Sequence, residues 1–238
     1  MGKITLHIPT FILLSCFLLL SPQTYAFNKT GHKTIASLSY RLLDDNGKQF
    51  LSNLLGSNAR QEWTASAYWA ADQASREGSE WRIPLHRVFF NANDSQFDAD
   101  QHCPFNSCSV GAILESRHVL VSPEYKSQQK RHAIKYLLHY IADAHQPTNC
   151  GFLADSGGLQ IQLKTADLTR VNLHWVWENG LIQLHGQNFS QLASSIRLKN
   201  DIINPYTKSI KLQKIQSSAI RDKQYKNRSS REKASLLK

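Results

Sequence analysis

One strongly helical segment, residues 127–146, constrains this chain more than any other feature. Its apolar residues recur at the spacing of an α-helix, and Pro147 predicts the end of the helix because proline has no backbone N–H. His139 and Asp143 are four residues apart, so an imidazole and a carboxylate share one face of a mostly apolar helix. Burying a charged group is costly unless it is paired or binds a metal ion. This helix face therefore predicts a buried polar site.

Helical periodicity also dominates the rest of the chain and predicts an all-α fold. The chain has no repeats and no strand-rich section, and we expect one helical domain over residues 27–198. An irregular segment is predicted over 84–102, a turn over 155–158 and a short strand over 161–163. Further helices are predicted over 30–44, 47–55, 62–76, 108–120 and 172–184.

The first 26 residues have the pattern of a secretory signal peptide. A positively charged start is followed by an apolar run over residues 11–20 and a polar stretch that ends at Ala26. The apolar run is too short to span a bilayer comfortably. We expect a mature protein that begins at Phe27 and is secreted or periplasmic.

The positive charge of the chain is concentrated at its C-terminal end. Residues 199–238 carry 11 basic and 3 acidic side chains, whereas residues 27–198 carry 16 and 15. The basic segment has few large apolar groups, which is typical of a disordered tail. Two interpretations remain open: a tail that binds polyanions, or one that is only solvated.

Three cysteines remain once the signal is removed. In an oxidising compartment, Cys103 and Cys108 can close a small disulfide loop. Cys150 is then a free thiol, an intermolecular partner or a metal ligand. The spacing of the three does not resemble that of a structural zinc site.

Two helical pairs of histidine and carboxylate point to metal binding. His139 and Asp143 form one pair, and His174 and Glu178 form the other with the same spacing. A single pair is common on helix surfaces by chance. Two such pairs on mostly apolar helices favour a shared metal site.

In combination, several short motifs make the chain similar to the secreted zinc-dependent single-strand nucleases of the mung bean nuclease type. That family shares a helical fold and a three-zinc site with the zinc phospholipases C. The resemblance covers residues 27–185. The matching motifs are His32 near the expected mature N-terminus, WAAD (69–72), PLH (84–86), CPFNSCSVGAI (103–113), HYIADAHQP (139–147), GG (157–158) and NLHWVWE (172–178).

The resemblance implies a role for each matching residue. The backbone amine and carbonyl of Phe27 would bind one zinc together with His32. Asp143 would bridge two zincs. The remaining ligands would be Asp72, His86 and His139 at the second site and His174 and Glu178 at the third.

Several positions depart from the family pattern. Asn149 stands where the family has a zinc-binding histidine, and an amide is a poor zinc ligand. Glu178 replaces aspartate, Ser75 replaces an arginine that stabilises transition-state charge, and Phe89 replaces a base-contacting polar residue. Three zincs are thus expected from the family, two of them more secure here, and Cys150 is a candidate substitute ligand at the third site.

The resemblance implies a monomeric endonuclease that cleaves single-stranded DNA or RNA to 5′-phosphorylated products. Asp72 would orient or deprotonate the attacking water. One alternative is a phospholipase C-like phosphodiesterase, which the apolar Phe89 favours. The other is a degenerate homologue that binds metal with little or no turnover, which Asn149 and Ser75 favour.

Overall fold

A computed structural model describes residues 27–166 and 169–196 of the chain. The predicted signal peptide (1–26) and basic tail (199–238) lie outside these residues. Ten helices in the described part are joined by short 3₁₀ segments. They are α1 Lys29–Leu42, α2 Asp45–Leu55, α3 Ala59–Ala65, α4 Trp69–Ala74, α5 Ala99–His102, α6 Ser109–Val121, α7 Ser127–Asp143, α8 Leu173–Trp175, α9 Leu181–His185 and α10 Phe189–Ser195.

The all-α prediction is confirmed, since a two-stranded ribbon is the whole of the described sheet structure. The ribbon pairs β1 (Gln162–Lys164) with β2 (Arg170–Asn172) in antiparallel fashion, and β1 matches the predicted strand. No helix among residues 27–166 and 169–196 is long and apolar enough to cross a membrane.

The core is centred on α7, which packs against α6, α4 and α1. The buried face of α7 presents apolar residues such as Ala133, Ile134 and Leu138 to these neighbours. Trp63 of α3 fills the space beside α1, and its indole N–H donates to the carbonyl of Ala36 at 3.1 Å. This bond fixes α1 and α3 against each other on one side of α7.

The predicted helix over 62–76 is broken into three pieces. After α3, residues Ser66–Tyr68 form a 3₁₀ turn, and α4 then runs only to Ala74. The Ser66 hydroxyl donates to the carbonyls of Glu62 and Trp63, a local bond that competes with regular helix geometry. The break changes which residues after it face the core.

The segment predicted as irregular over 84–102 has more structure than expected. A 3₁₀ segment covers Glu80–His86, and the short helix α5 ends the segment. Asp98 caps α5 by accepting the backbone N–H groups of Asp100 and Gln101. Local side-chain bonds of this kind are hard to recognise from apolar periodicity alone.

The single helix predicted over 172–184 is also wrong in detail. Asn172 ends β2, and its side chain caps α8 by accepting the N–H of Trp175 at 2.7 Å. A π-helical turn, Val176–Gly180, separates α8 from α9. Both His174 and Glu178 are buried in this composite element.

Candidate metal centre

Three buried side chains converge where α1 meets α7. His32 Nε2 lies 3.3 Å from Asp143 Oδ1, and His139 Nε2 lies 3.3 Å from Asp143 Oδ2. One ligand atom from each of the three residues lies within 4.8 Å of the others. The 3₁₀ segment Glu80–His86 adds His86, whose Nδ1 is 2.7 Å from Asp143 Oδ2 and 3.2 Å from His139 Nε2. One carboxylate is thus surrounded by three imidazoles.

The helix spacing and one backbone carbonyl orient the His139 ring. His139 Nδ1 donates to the carbonyl of Ala67, at 2.8 Å, in the 3₁₀ turn that breaks the predicted helix. With the proton on Nδ1, the lone pair of Nε2 points toward Asp143. The His32 ring stacks on the His139 ring, with centroids 4.0 Å apart and planes 7° apart. A histidine held through its other nitrogen in this way is typical of a metal ligand.

Electrostatics favour the protonation states that bind metals. Burial alone would raise the pKa of Asp143, but His139 and His86 together with hydrogen bonds lower it overall. Burial also lowers the pKa of His139 well below its usual value, against the opposing effect of Asp143. The site therefore holds an anionic carboxylate beside a neutral imidazole, the forms in which these groups bind metals.

The donor set fits a divalent cation. His32 Nε2 and Asp143 Oδ1 are both buried, and neither has a hydrogen-bond partner in the part of the chain that the structure describes. Buried polar atoms without a partner need an explanation, and a cation bound between the two would provide one. Imidazole nitrogen and carboxylate oxygen are ligands that suit zinc and several other divalent transition metals.

Asp72 lies outside the three-residue group. Its side chain is exposed on α4, whereas the preceding residue, Ala71, is fully buried. The WAAD motif therefore directs an alanine into the core and the carboxylate outward. Ser75 is also exposed, and its hydroxyl donates to the Ala71 carbonyl at 2.9 Å.

The first described residue lies beside the centre. The ring of Phe27 is edge-on to that of His32, with centroids 6.5 Å apart. The backbone N–H of Asn28 donates to the carbonyl of Glu178 at 3.0 Å. This bond joins the start of α1 to the π-helical turn, so the predicted ligands Phe27 and Glu178 belong to neighbouring segments.

The residues predicted for the third zinc site are buried and polar. Asn149 is fully buried, its Nδ2 donates to the backbone carbonyl of Asp143 at 3.4 Å, and its Oδ1 has no hydrogen-bond partner among the described residues. His174 Nδ1 is held by the carbonyl of Gly157 at 3.0 Å. Neither His174 nor Glu178 belongs to the compact group around Asp143.

Cys150 is not directed at the centre. Its thiol donates to the carbonyl of Ala144 at 3.3 Å, and burial raises its pKa to about 11. The predicted disulfide between Cys103 and Cys108 is present, and Cys150 packs against the same small cluster. A protonated thiol bonded to a carbonyl is poorly prepared to replace a zinc ligand.

Phe89 lines a cavity of about 340 Å³ between the Glu80–His86 segment and the disulfide loop. Arg87, Val88 and Leu153 also line this cavity, together with the disulfide cysteine Cys108. The wall that Phe89 provides is apolar.

Sequence reasoning missed several residues that shape the centre. The rings of Tyr68 and His139 are edge-on with centroids 5.8 Å apart, and the Tyr140 ring meets His86 at 5.1 Å. The Ala67 carbonyl is a third unpredicted contributor. Aromatic residues are mostly core residues, so nothing in the sequence distinguished these two tyrosines. A tyrosine directly beside a candidate ligand, as in His139-Tyr140, is the one weak signal available.

Fold and site together define an all-helical protein with a buried histidine–carboxylate group that could hold a metal ion. The family model of the S1/P1 nucleases matches residues 27–236. The chain therefore belongs to the S1/P1 nuclease family. The match begins at the expected mature N-terminus and continues past residue 185, where the resemblance recognised from motifs ended.

Named relatives are similar over part of their length. Nuclease S1 of Aspergillus oryzae is 28% identical over 167 residues, which are 69% of this chain and 57% of that protein. Endonuclease 2 of Arabidopsis thaliana is 26% identical over 191 residues, 75% of this chain and 63% of that protein. Nuclease P1 of Penicillium citrinum is 26% identical over 158 residues, which are 64% of this chain and 57% of that protein. The chain thus spans about three fifths of the relatives it matches.

Proposed function

We propose that the chain is a secreted, zinc-dependent endonuclease that hydrolyses phosphodiester bonds of single-stranded DNA or RNA to 5′-phosphorylated products. One observation carries this proposal: a chain of the S1/P1 nuclease family buries His32, His139 and Asp143 within ligand distance of one another. The names of the relatives, nucleases and endonucleases, support a phosphodiester substrate.

The proposed ligand assignment places two zincs around Asp143. His32 and the backbone amine and carbonyl of Phe27 would hold one. His86 and His139, with Asp72, would hold the other, while His174 and Glu178 remain the candidates for a third. This assignment requires cleavage after Ala26, because only then does Phe27 have a free amine. Zinc bound here would lower the pKa of a bound water and stabilise the charge on the leaving oxygen.

The residues of the chain supply the rest of the chemistry. Asp143 stays ionised because its imidazole neighbours lower its pKa, so it can share charge between two ions. The Ala67 carbonyl fixes the tautomer of His139. Asp72 is exposed on α4, four residues after Tyr68, and we assign it the orientation or deprotonation of the attacking water. Tyr68 and Tyr140 pack against the ligands and limit the access of bulk water.

Two other functions have specific observations in their favour. The apolar wall of Phe89 and Leu153 in the cavity favours a phospholipase C-like phosphodiesterase. The amide of Asn149 at the expected third ligand favours a degenerate homologue that binds fewer metals. Both alternatives use the same metal centre and differ in substrate or in turnover.

The test is zinc stoichiometry and hydrolysis measured on one preparation of secreted protein. We expect at least two zincs per chain, with cleavage of single-stranded DNA or RNA that EDTA abolishes and zinc restores. End-labelling should reveal 5′-phosphates, and size-exclusion chromatography a monomer. His139→Gln should lose zinc and activity, whereas His118→Gln, an unrelated partly exposed histidine, should keep both. If the protein hydrolysed phosphatidylcholine but no nucleic acid, the phospholipase C-like function would replace the nuclease proposal. If it bound zinc but hydrolysed neither substrate, the degenerate homologue would be supported.

A further inference from the structure

Basic and aromatic side chains meet on the surface where α4, the Glu80–His86 segment and the first half of α7 pack together. We propose that this surface, here named the basic track, binds the part of a single-stranded nucleic acid that extends beyond the cleaved bond. The proposal rests on the proposed nuclease function and adds a binding site to it. The track consists of Trp69, Trp81, Arg131, His132 and Lys135, and it packs on the buried Arg82.

The positive charge of the track comes from α7. Between residues 126 and 142 the chain has four Lys or Arg side chains and no Asp or Glu. Arg131 and Lys135 are four residues apart, and His139 follows after four more, so the three share one face of the helix. The charged face therefore leads directly to the metal centre, and a polyanion bound on it would be guided toward the ligands.

Two tryptophans supply aromatic surface along the same path. The ring of Trp69 is 5.1 Å from that of His132, and Lys135 Nζ lies 5.5 Å above it. Trp81 is 42% exposed, and the guanidinium of Arg82 lies 4.2 Å from its ring centre. Proteins that bind single strands combine cations that follow the backbone with aromatic faces on which bases stack.

The track is fixed in place by packing. Arg82 is buried and donates through Nη1 to the Tyr136 hydroxyl at 2.6 Å. The Tyr136 ring stacks on that of Tyr140, with centroids 5.5 Å apart and planes 5° apart. Tyr140 in turn meets the His86 ring at 5.1 Å. A continuous row of packed side chains thus joins the track to the metal centre. Because these side chains are already ordered, binding a nucleic acid costs them little conformational entropy.

The separation between the track and the centre suits adjoining nucleotides. Tyr68 lies against the centre, with its ring 5.5 Å from that of His32, and Trp69 is the next residue in the chain. A strand cleaved at the centre would therefore meet Trp69 within a short stretch of its backbone.

The chemistry of the track favours a single strand over a duplex. Acidic side chains also lie in these elements, with Asp72 on α4, Glu80 in the Glu80–His86 segment and Glu77 between the two, so the region is not uniformly positive. Phosphate attraction alone would be weak there, and stacking must contribute. Only unpaired bases can leave their own stack to pack against tryptophan.

The test is a charge reversal on α7 with a matched control. We compare Arg131→Glu/Lys135→Glu with Lys48→Glu/Arg60→Glu, a pair on α2 and α3 that also combines one exposed and one half-buried cation. Binding of a fluorescein-labelled oligothymidylate to the full secreted chain is measured by anisotropy in EDTA, across a range of salt concentrations. We expect about tenfold weaker binding for the track variant and a salt dependence lower by about 1.4 in slope, for two lost phosphate contacts. The control should change by less than about twofold.

Two further readouts separate the track from the metal centre. With zinc, the track variant should hydrolyse a dinucleotide at the wild-type rate but have a raised KM for the oligonucleotide. Trp81→Leu should weaken binding of oligothymidylate but not of an abasic strand of equal length, because only the former can stack. Equal losses in track and control variants, or an unchanged affinity in the track variant, would overturn the proposal. Should the wild-type chain hydrolyse no nucleic acid while the binding differences persist, the nuclease proposal fails and the track stands.

Discussion

Asn149 is the residue on which we expect the metal content of this chain to depend. It is fully buried, anchored by one hydrogen bond to the Asp143 carbonyl, and its Oδ1 has no partner among the described residues. An amide oxygen is a weak ligand for zinc, whereas an imidazole in the same place would be a strong one. The side chain is thus held at the edge of the centre without the chemistry to complete a third site.

We expect Asn149→His to raise the zinc content from two to three per chain. The reason is that an imidazole would replace the amide at the predicted third site, for which His174 and Glu178 are the other predicted ligands. The measurement is elemental analysis of zinc against protein concentration after dialysis. Asn149→Gln is the control, because it keeps an amide, and its zinc content should match that of the wild type. A histidine variant with unchanged zinc content would show that position 149 is not a ligand position.

Cys150 should be an unreactive thiol. Its pKa is raised to about 11 by burial, from an ordinary value of 9.0. At pH 8 the thiolate fraction is then about a hundredfold lower than for an unperturbed cysteine, and the thiolate is the reactive form. We expect reaction with Ellman's reagent to be slower by about that factor in the native protein. In guanidinium chloride the same thiol should react at the ordinary rate; rapid reaction of the native protein would contradict its burial.

At the scale of elements, short-range bonds decide where the helices break and which residues they bury. The 3₁₀ turn at Ser66–Tyr68 presents the Ala67 carbonyl to His139 and brings Tyr68 to the centre. The disulfide loop between Cys103 and Cys108 likewise determines how the chain packs at the start of α6. There, Gly111 approaches the backbone of Asn106 so closely that an added Cβ would lie 2.3 Å from the Asn106 carbonyl oxygen.

Gly111→Ala should therefore destabilise the protein by about 1–3 kcal/mol, as overpacking against an immobile backbone does. Gly47→Ala is the control, since Gly47 lies near the start of α2, where an added Cβ would meet side-chain atoms at 3.2 Å. Its stability should change by less than about 1 kcal/mol, because alanine favours the helix. Urea denaturation of both variants and the wild type gives the comparison. Equal stability of all three would mean that α6 shifts away from the loop without cost.

These elements also show what the sequence could reveal. His139 and Asp143 were predictable because their spacing lies within one uninterrupted helix, where periodicity fixes the face. The orientation of Asp72 could not be predicted, because the preceding 3₁₀ turn rotates α4 so that Ala71 is buried instead. The role of Asp72 stays a prediction. The π-helical turn before α9 was hidden because apolar spacing is compared with a regular period of 3.6 residues, and one turn with i→i+5 bonds is too short to reveal another period.

At the scale of the whole molecule, acid should destabilise the metal-free protein. The pKa of His139 is lowered by burial and that of Asp143 is lowered by its imidazole neighbours, so at each group the unfolded chain binds protons more readily than the folded one. Stability then rises with pH. The loss begins as pH falls through the unfolded value of His139, 6.5, and grows as pH approaches that of Asp143, 3.8.

We expect the thermal midpoint of the EDTA-treated protein to fall between pH 7.5 and pH 5, and His139→Gln to reduce this dependence. Calorimetry of both proteins over this range is the measurement, and a wild-type midpoint independent of pH would contradict the assignment. With zinc in excess, the midpoint at pH 7.5 should rise, because an ion that binds only the folded state stabilises it.

The stacked rings of His32 and His139 have a consequence for biogenesis. They come from helices far apart in the chain, and His86, which contacts His139, is itself 53 residues from it. During synthesis α1 is made before α7, so His32 lacks its partners until α7 has followed. A nascent chain therefore cannot assemble the centre early, and we expect metal binding to come at the completion of folding.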